Sequence, residues 1–370
     1  MSLVLYRKYR PQRFSEVIGQ EHVVKTLTNA LADNMISHAY LFCGPRGSGK
    51  TTIARLLAKA ANCEKRDGFE PCNKCSSCLE IMENRSLDLI EIDAASNRGI
   101  DDIKELRDGI RFVPTKSKYR VFILDEAHQL SKDAANALLK TLEEPPAHAI
   151  FILATTEAHK MIPTIVSRCQ RFDFRKLTVP EIIKRLEIIV KNEEARVDKS
   201  ALELIALNAD GSIRDAEGLL NQALTFSGIS GKEKEISAEE IKNLLGLVEI
   251  RLVSQLVDYL VEKKAGGAIR FLNEIIDKGT DIDEFTKALI DYLRQALVLK
   301  MTEIGESENS LVSGLTKEEF QKLSEQAKKF NSDELRHLLD LLIDAENKMR
   351  YASIQQLPLE LVIAEFCGVE

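Results

Sequence analysis

The octapeptide Gly44-Pro45-Arg46-Gly47-Ser48-Gly49-Lys50-Thr51 matches the phosphate-loop pattern G-x-x-x-x-G-K-[ST] at every fixed position. It follows a run that predicts a strand, 39–43, and precedes a helical pattern that continues to about Asn62. The glycines let successive backbone N–H groups point inward, and the dipole of the following helix adds positive charge. The pattern therefore predicts a triphosphate site in which Lys50 reaches the β- and γ-phosphates and Thr51 ligates Mg²⁺.

A second motif supplies the carboxylates that such a site needs. The apolar run 121–124 predicts a strand, and it ends in Asp125 and Glu126. Adjacent positions at a strand end point in different directions, so we expect Asp125 to face the metal and Glu126 to polarise an attacking water. This division of roles between Asp125 and Glu126 predicts that the site hydrolyses the bound triphosphate. The alternative is that both acidic residues only cap the helix that follows.

The chain divides by composition into an α/β part and an all-α part. Short β-branched and aromatic runs predict five strands, at 39–43, 87–93, 119–125, 149–155 and 170–174. Helical patterns between them predict a parallel sheet that is covered on both faces. From residue 179 onward the pattern is helical throughout. We predict a nucleotide-binding domain, a small helical lid domain and a helical C-terminal domain, at 1–178, 179–242 and 243–370.

Composition and charge narrow the possible functions. The chain has 370 residues, 44% of them hydrophobic and 29% charged, which is ordinary for a globular protein and excludes a small disulfide-stapled scaffold. Its net charge of −7 repels phosphate backbones, so any contact with nucleic acid needs a local basic patch. No apolar run approaches the ~18 residues of a membrane span, and the start of the chain lacks a signal-type apolar core. These features predict a cytoplasmic protein.

Four of the seven cysteines lie close together in the chain: Cys63, Cys72, Cys75 and Cys78. In a cytoplasmic protein this spacing indicates metal binding before disulfides. Three sulfurs in one tight turn and a fourth at the end of the phosphate-loop helix predict a closed, structural Cys₄ zinc site. An iron–sulfur cluster or four unligated thiols are the alternatives.

The run 149–155 ends in Thr155 and is followed by Thr156. If this strand lies between those that carry Lys50 and Glu126, one threonine hydroxyl is placed to orient the water or to sense the γ-phosphate. The alternative is that β-branched residues stand here only for their strand propensity.

The combined pattern resembles the gamma/tau subunits of bacterial DNA polymerase III, the ATPases of the sliding-clamp loader. The resemblance covers residues 1 to about 225. It rests on these segments: Tyr9-Arg10-Pro11, Gly19-Gln20-Glu21-His22, Gly44 to Thr51, the four cysteines, Asp93 to Ser96, Asn136 to Pro146 and Ser167-Arg168-Cys169. It implies an AAA+ module of two domains, with a five-stranded P-loop sheet, a zinc module at 63–78 and a lid. It also implies a helical collar after these domains, which assembles subunits into a ring-like pentamer.

The resemblance also implies roles for single residues. Thr155 or Thr156 takes the first sensor position, and Arg214 takes the second. Arg168 matches an arginine finger that serves the ATP of a neighbouring subunit, although on the residues alone either arginine fits a surface ion pair. The implied nucleotide contacts are Tyr9, Arg10, Pro11, Gly44, Pro45, Arg46, Gly47, Ser48, Gly49, Lys50, Thr51, Thr52 and Arg214. Arg98 and Lys104 are predicted contacts to DNA phosphates.

The implied function is an ATP-driven motor subunit that loads the clamp onto primed DNA during replication in the bacterial cytoplasm. Its cofactors are ATP, Mg²⁺ and Zn²⁺, and its partners are the delta and delta prime subunits, copies of itself, the clamp and primer-template DNA, with no membrane. Two other functions compete. Asp125-Glu126-Ala127-His128 mimics a helicase motif, but a second strand-rich motor domain is lacking. A scaffold that binds ATP without turnover is disfavoured by the intact Lys50, Asp125 and Glu126.

Overall fold

A computed structural model of the chain describes residues 4–96, 110, 112–226, 235–244, 250–302 and 317–368. The chain divides into two compact units, Met1–Ala238 and Glu239–Glu370. Each unit has its own buried apolar core.

The first unit is built on a parallel sheet of five strands in the order β2-β3-β4-β1-β5. Its strands are β1 Ala39–Cys43, β2 Leu89–Asp93, β3 Arg120–Asp125, β4 Ala149–Thr155 and β5 Gln170–Asp173. Cys43 lies opposite Thr155, and Asp93 lies opposite Asp125. The carboxyl ends of these four strands therefore meet at one edge of the sheet, where ligands bind in open α/β sheets.

Helices cover both faces of this sheet. Helix α1 spans Leu5–Lys8. The helices that follow it in this part of the chain are α2 Glu21–Ala32, α3 Lys50–Ala61, α4 Ser76–Met82, α5 Lys132–Glu143 and α6 Pro163–Val166. Strand residues alternate between the two faces, so Tyr40 and Phe42 pack with α2 and α3, while Leu41 packs with α5 on the other side. Every residue of β1 and β4 is buried, which explains their unbroken apolar sequences.

A small helical group completes the first unit, with helices α7 Val179–Asn192, α8 Lys199–Asn208 and α9 Ile213–Phe226. The start of α7 is fixed by its sequence. The backbone N–H of Thr178 donates to Glu181 Oε2 at 2.8 Å, and Pro180 occupies the first turn, where a missing N–H costs nothing.

The described part of the second unit is helical. Its helices are α10 Ala238–Leu244, α11 Ile250–Val261, α12 Ala265–Asp277, α13 Ile282–Thr302, α14 Lys317–Lys329, α15 Ser332–Met349 and α16 Leu357–Cys367. A buried polar network joins three of them: Tyr292 donates to Gln326 Oε1 at 2.7 Å, and Gln326 Nε2 donates to the Ser254 carbonyl at 2.9 Å.

The predicted fold class is confirmed, with a five-stranded parallel P-loop sheet, a small helical group and a helical C-terminal region. The three predicted domain ranges stay a prediction. Among the residues that the structure describes, no helix combines the length and apolar character that a membrane span requires.

Candidate functional site

The phosphate loop connects β1 to α3 and is held against the helical group of the first unit. The backbone N–H of Ile213 donates to the Gly47 carbonyl at 3.2 Å. Gly47 has a φ of +74°, and a Cβ there would lie 1.9 Å from Ser212 Oγ. Both the left-handed backbone and the lack of space require glycine at this position.

Lys50 lies inside the loop rather than in solvent. Its ammonium donates to the carbonyls of Gly44 and Pro45 at 2.7 and 2.8 Å. Burial lowers its pKa, and the nearby carboxylates of Glu126 and Asp125 act in the opposite direction. A poorly solvated cation in a ring of backbone dipoles is suited to bind an anionic phosphate.

The structure brings Thr51 and Asp125 together, although they are far apart in the sequence. Thr51 Oγ1 donates to Asp125 Oδ2 at 2.8 Å. Asp125 ends β3, and Thr51 stands in the first turn of α3. A hydroxyl and a carboxylate in contact, beside a phosphate loop, form the oxygen donor set that Mg²⁺ prefers, so the residues present fit this ion.

Glu126 follows Asp125 with a left-handed backbone, at a φ of 49°. Its carboxylate oxygen Oε2 accepts from the Thr156 hydroxyl at 2.8 Å and from the Thr156 backbone N–H at 3.3 Å. The turn thus separates the two acidic side chains and directs Glu126 to the end of β4. Non-glycine residues in this conformation concentrate at functional sites.

Thr155 has a different partner from Thr156. It is fully buried, and its Oγ1 is 2.9 Å from Nδ1 of His128. The Gln129 amide is 3.0 Å from the other ring nitrogen of His128. With the amide as donor, Nε2 accepts and Nδ1–H donates to Thr155. Sequence reasoning missed His128, although its place in the motif 125–128 was a signal.

A cavity of about 730 Å³ lies beside the phosphate loop. The predicted residues that line it are Arg10, Pro11, Arg46, Gly47, Ser48, Gly49, Lys50, Thr51, Thr52, Asp125, Glu126 and Arg214. Further lining residues, which sequence reasoning did not place in the site, include Tyr6, Arg7, Val17, Ile18, Asp93, Leu177, Arg185, Ile213 and Glu217. The cavity wall therefore comes from the N-terminal segment, the sheet edge and the lid helices together.

Of the residues predicted to act on the chain's own nucleotide, five do not line this cavity: Tyr9, Gly44, Pro45, Thr155 and Thr156. The Tyr9 ring lies 5.3 Å from the ammonium of Lys8, outside the cavity. Its backbone carbonyl accepts a hydrogen bond from Arg185. Tyr9 thus acts on the cavity only indirectly, through the main-chain carbonyl that holds the lining residue Arg185.

Arg185 and Glu217 form a buried ion pair in the cavity wall, with 2.8 Å between Nε and Oε1. Burial raises the pKa of Glu217, while the charge and hydrogen bond of Arg185 lower it. Because Arg185 also binds the Tyr9 carbonyl, it ties α7, α9 and the N-terminal segment to one another. Sequence alone gives no signal for a pair between residues of two different helices.

Arg214 enters the cavity from the first turn of α9, and its guanidinium carbon lies 5.0 Å from the centre of the Tyr6 ring. Arg168 is not among the residues that line the cavity. It donates to Glu143 Oε1 at 2.5 Å and to the Thr164 carbonyl at 2.7 Å, and its side chain is about one-third exposed. The two predicted arginines therefore occupy different places, and Arg214 alone of the two faces the chain's own cavity.

The four clustered cysteines converge, and their sulfur atoms all lie within 4.8 Å of one another. Sγ of Cys72 is 4.0 Å from Sγ of Cys78, close to the ~3.8 Å separation in a tetrahedral site with Zn–S bonds of about 2.3 Å. Backbone N–H groups of Lys74 and Cys75 donate to Cys72 Sγ at 3.4 and 3.3 Å. These bonds, led by that of Lys74, lower the pKa of Cys72 to about 6. The cluster fits zinc.

The two predicted DNA contacts, Arg98 and Lys104, lie outside the described residues.

Comparison with known proteins decides the family. The profile of "DNA polymerase III subunits gamma and tau domain III" matches residues 236–369. The profile of the "DNA polymerase III clamp loader subunit, ATPase lid domain" matches residues 181–229, and that of "DNA polymerase III, delta subunit" matches residues 19–178. A DNA polymerase III subunit gamma from Buchnera aphidicola is 35% identical over 358 residues, which are 97% of this chain and 96% of that protein.

The chain belongs to the gamma/tau family of DNA polymerase III subunits.

A second gamma/tau relative, the DNA polymerase III subunit tau of Bacillus subtilis, is 44% identical over 363 residues. The alignment covers 98% of this chain and 63% of the Bacillus protein. The chain thus spans less than two-thirds of that relative's length. Among solved structures, the RuvB branch migration motor of Thermotoga maritima is 20% identical, with a TM-score of 0.48 over 68% of this chain and 79% of that chain.

Proposed function

We propose that this chain is the ATP-driven motor subunit of the DNA polymerase III clamp loader, which hydrolyses ATP to load the ring-shaped sliding clamp onto primed DNA. The observation that carries the proposal is the contact between Thr51 and Asp125, 2.8 Å apart, beside the buried Lys50. It joins the phosphate loop and the acidic strand end in one cavity. Membership of the gamma/tau family supports clamp loading as the task that ATP turnover drives.

In this proposal the loop 44–52 holds the triphosphate. Its backbone N–H groups and the N-terminus of α3 bind the phosphate oxygens, and Lys50 exchanges the carbonyls of Gly44 and Pro45 for the β- and γ-phosphates. The base and sugar occupy the part of the cavity lined by Arg10 and Pro11. Tyr9 contributes only its carbonyl, which Arg185 holds.

Hydrolysis requires an activated water and a neutralised phosphate. Thr51 and Asp125 would hold Mg²⁺, which when bound neutralises charge on the phosphate oxygens. Glu126 takes the proton of the attacking water as general base. Thr156 orients the Glu126 carboxylate through its hydroxyl, while Thr155, bonded to His128, stabilises the neighbouring turn.

The two arginines act on different nucleotides in this proposal. Arg214 faces the chain's own cavity and binds the γ-phosphate from the lid helix α9. Arg168 reaches the ATP of a neighbouring subunit, where it neutralises charge in the transition state. Its position outside the cavity and its ion pair with an exposed carboxylate, Glu143, support a role in trans.

We propose that Cys63, Cys72, Cys75 and Cys78 bind one structural Zn²⁺. The convergence of the four sulfurs within 4.8 Å and the N–H donors to Cys72 support this assignment. A closed four-sulfur site leaves no position for a substrate, so zinc would stabilise the module around α4 rather than take part in catalysis.

The proposed partners follow from the family. Residues 1–178 and 179–242 form the motor and its lid, and 243–370 forms the collar that joins copies of this chain with the delta and delta prime subunits in a pentamer. The assembly grips the clamp and primer-template DNA, with Arg98 and Lys104 as phosphate contacts, in the cytoplasm of a bacterial cell at the replisome.

The test is ATP turnover by the purified chain, alone and reconstituted with delta and delta prime, with and without clamp and primed DNA. Turnover that rises with clamp and primed DNA, together with placement of the clamp on DNA, is the expected result. Turnover that depends on DNA but ignores the clamp would favour the helicase alternative. Binding of ATP without turnover would favour a nucleotide-gated scaffold.

A further inference from the structure

The N-terminal helix α1 packs against the lid helix α9, and this contact brings Tyr6 to Arg214. The guanidinium carbon of Arg214 lies over the Tyr6 ring, 5.0 Å from its centre. Both side chains line the cavity beside the phosphate loop. The pair therefore sits where a bound nucleotide and the lid meet.

The backbone of Arg214 is already fixed at this place. Its neighbour Ile213 donates its N–H to the Gly47 carbonyl at 3.2 Å, and Ser212 is in contact with Gly47. The start of α9 is thus bonded to the phosphate loop itself. The long side chain of Arg214 still has many rotamers, and ordering such a side chain costs conformational entropy. A ring that holds its guanidinium removes part of that cost before a phosphate binds.

An aromatic partner suits this task better than a carboxylate. A carboxylate would neutralise the arginine and occupy its N–H donors in a bidentate pair. A ring packs against the flat face of the guanidinium. The N–H donors lie at the edge of the guanidinium plane, so they remain available to other partners. Arg214 can therefore keep its charge and most of its five donors for phosphate oxygens.

The cations near the ring also act on the Tyr6 hydroxyl. The pKa of the phenol is lowered, chiefly by a side-chain hydrogen bond with Arg214 and then by the charge of Arg7. The guanidinium of Arg7 lies 5.8 Å from the same ring centre. Two cations, Arg7 and Arg214, thus lie near the Tyr6 ring, and Arg214 is the one that belongs to the lid.

We propose that Tyr6 is a positioning residue for Arg214: its ring holds the Arg214 guanidinium beside the phosphate loop, so that Arg214 distinguishes ATP from ADP. This inference rests on the proposed function. It gives helix α1, which carries Tyr6, a role in the response of the lid to the γ-phosphate.

The experiment measures binding of Mg²⁺–ATPγS and Mg²⁺–ADP to the full chain by calorimetry. Tyr6→Leu should weaken ATPγS binding about threefold to fivefold and leave ADP binding nearly unchanged, since a partly exposed cation–π contact has roughly this effect. Tyr6→Phe keeps the ring and should restore most of the ATPγS affinity. Tyr119→Phe, which removes a hydroxyl outside the cavity lining, is the matched control and should change neither affinity.

A double-mutant cycle separates positioning from direct contact. In the Arg214→Ala background, adding Tyr6→Leu should change ATPγS binding less than about twofold, because Tyr6 then has nothing to position. Fully additive losses, or equal losses for ATPγS and ADP, would overturn the role proposed for Tyr6. If wild-type chain bound neither nucleotide, the proposed function would fail and the role of Tyr6 with it.

A second readout needs no nucleotide. NMR titration of ring-labelled tyrosine follows the Tyr6 phenol directly. Arg214→Ala should raise the phenol pKa toward its ordinary value, while Arg168→Ala, as control, should leave it unchanged. An unchanged Tyr6 pKa in the Arg214 variant would show that the two side chains do not interact in solution, and would overturn the inference even if ATP binding is normal.

Discussion

The hydroxyl of Thr156 donates a hydrogen bond to Glu126, with 2.8 Å between Oγ1 and Oε2. Glu126 can reach this partner because its left-handed backbone turns the chain directly after β3. His128 Nδ1 lies 3.4 Å from the same carboxylate oxygen. The proposed general base is therefore held by the end of the neighbouring strand β4, where Thr155 and Thr156 stand.

Glu126→Gln should separate nucleotide binding from hydrolysis. The amide keeps the size of the side chain but cannot accept the proton of the water, so turnover should fall by about 10²–10⁴-fold. Affinity for Mg²⁺–ATP, measured by calorimetry, should change little because Lys50 and Thr51 are intact. Glu144→Gln, at an exposed position, is the control. Unchanged turnover in the Glu126 variant would remove Glu126 from the mechanism.

Arg168→Ala should affect the assembly and not the single chain. Because Arg168 binds Glu143 outside its own cavity, ATP affinity of the isolated chain should stay the same. Turnover by the reconstituted loader with clamp and primed DNA should fall by up to about 10³–10⁵-fold, the range known for arginine fingers. Arg171→Ala, which breaks a nearby exposed pair with Asp173, is the matched control. Equal losses in chain and assembly would contradict a role in trans.

The three central strands of the sheet, β3, β4 and β1, were predictable because they are nearly continuous apolar runs. The predicted bounds 39–43 and 149–155 are those of β1 and β4. Both strands are buried on both faces, which explains why their apolar runs are unbroken. Strand β3 begins at Arg120 rather than at the predicted residue 119. The reason is a side chain: Asn62 bonds both the N–H and the carbonyl of Tyr119, so that residue has no backbone groups left for the sheet.

Within the site, the pairing of Thr51 with Asp125 was predictable because both follow strands whose ends share one edge of a parallel sheet. The contacts that build the cavity wall were not predictable. Arg185 bonds the Tyr9 carbonyl across 176 positions of sequence, and the contact of Tyr6 with Arg214 also joins the N-terminal segment to the lid. Such contacts depend on how helices dock, which neither periodicity nor motif spacing specifies.

Removal of zinc should destabilise the first unit. Protein purified without chelator should contain about one Zn²⁺ per chain, measured by elemental analysis. Cys72→Ser removes one of four thiolate ligands, so the zinc content should fall and the melting temperature should decrease, since structural zinc contributes directly to folding. Cys367→Ser lies outside the cluster and should change neither value. Zinc-free wild-type protein with an unchanged melting temperature would contradict the assignment.

Asp88 should make the stability of the first unit depend on pH. It is 3% exposed, and its carboxylate accepts backbone hydrogen bonds from Thr115, Lys116 and Ser117 at 2.8, 3.0 and 2.9 Å. Burial raises its pKa, but the three N–H donors outweigh burial, and the pKa in the folded chain lies below its ordinary value. The folded state therefore favours the ionised carboxylate.

The direction of the pH effect follows from that shift. The stabilisation from Asp88 is fully present above the pKa of an unfolded aspartate, about 3.9, and is lost as pH falls through the lower folded value. Asp88→Asn removes the charge and turns a donor toward the three N–H groups, so it should lower the free energy of unfolding by about 2 kcal/mol at neutral pH. Urea denaturation of variant and wild type should show this difference shrinking as the pH is lowered below about 4. Asp33 is exposed, so the control Asp33→Asn should show no such convergence. If the difference for Asp88→Asn stayed constant with pH, packing and not the charge of Asp88 would hold the loop 115–117.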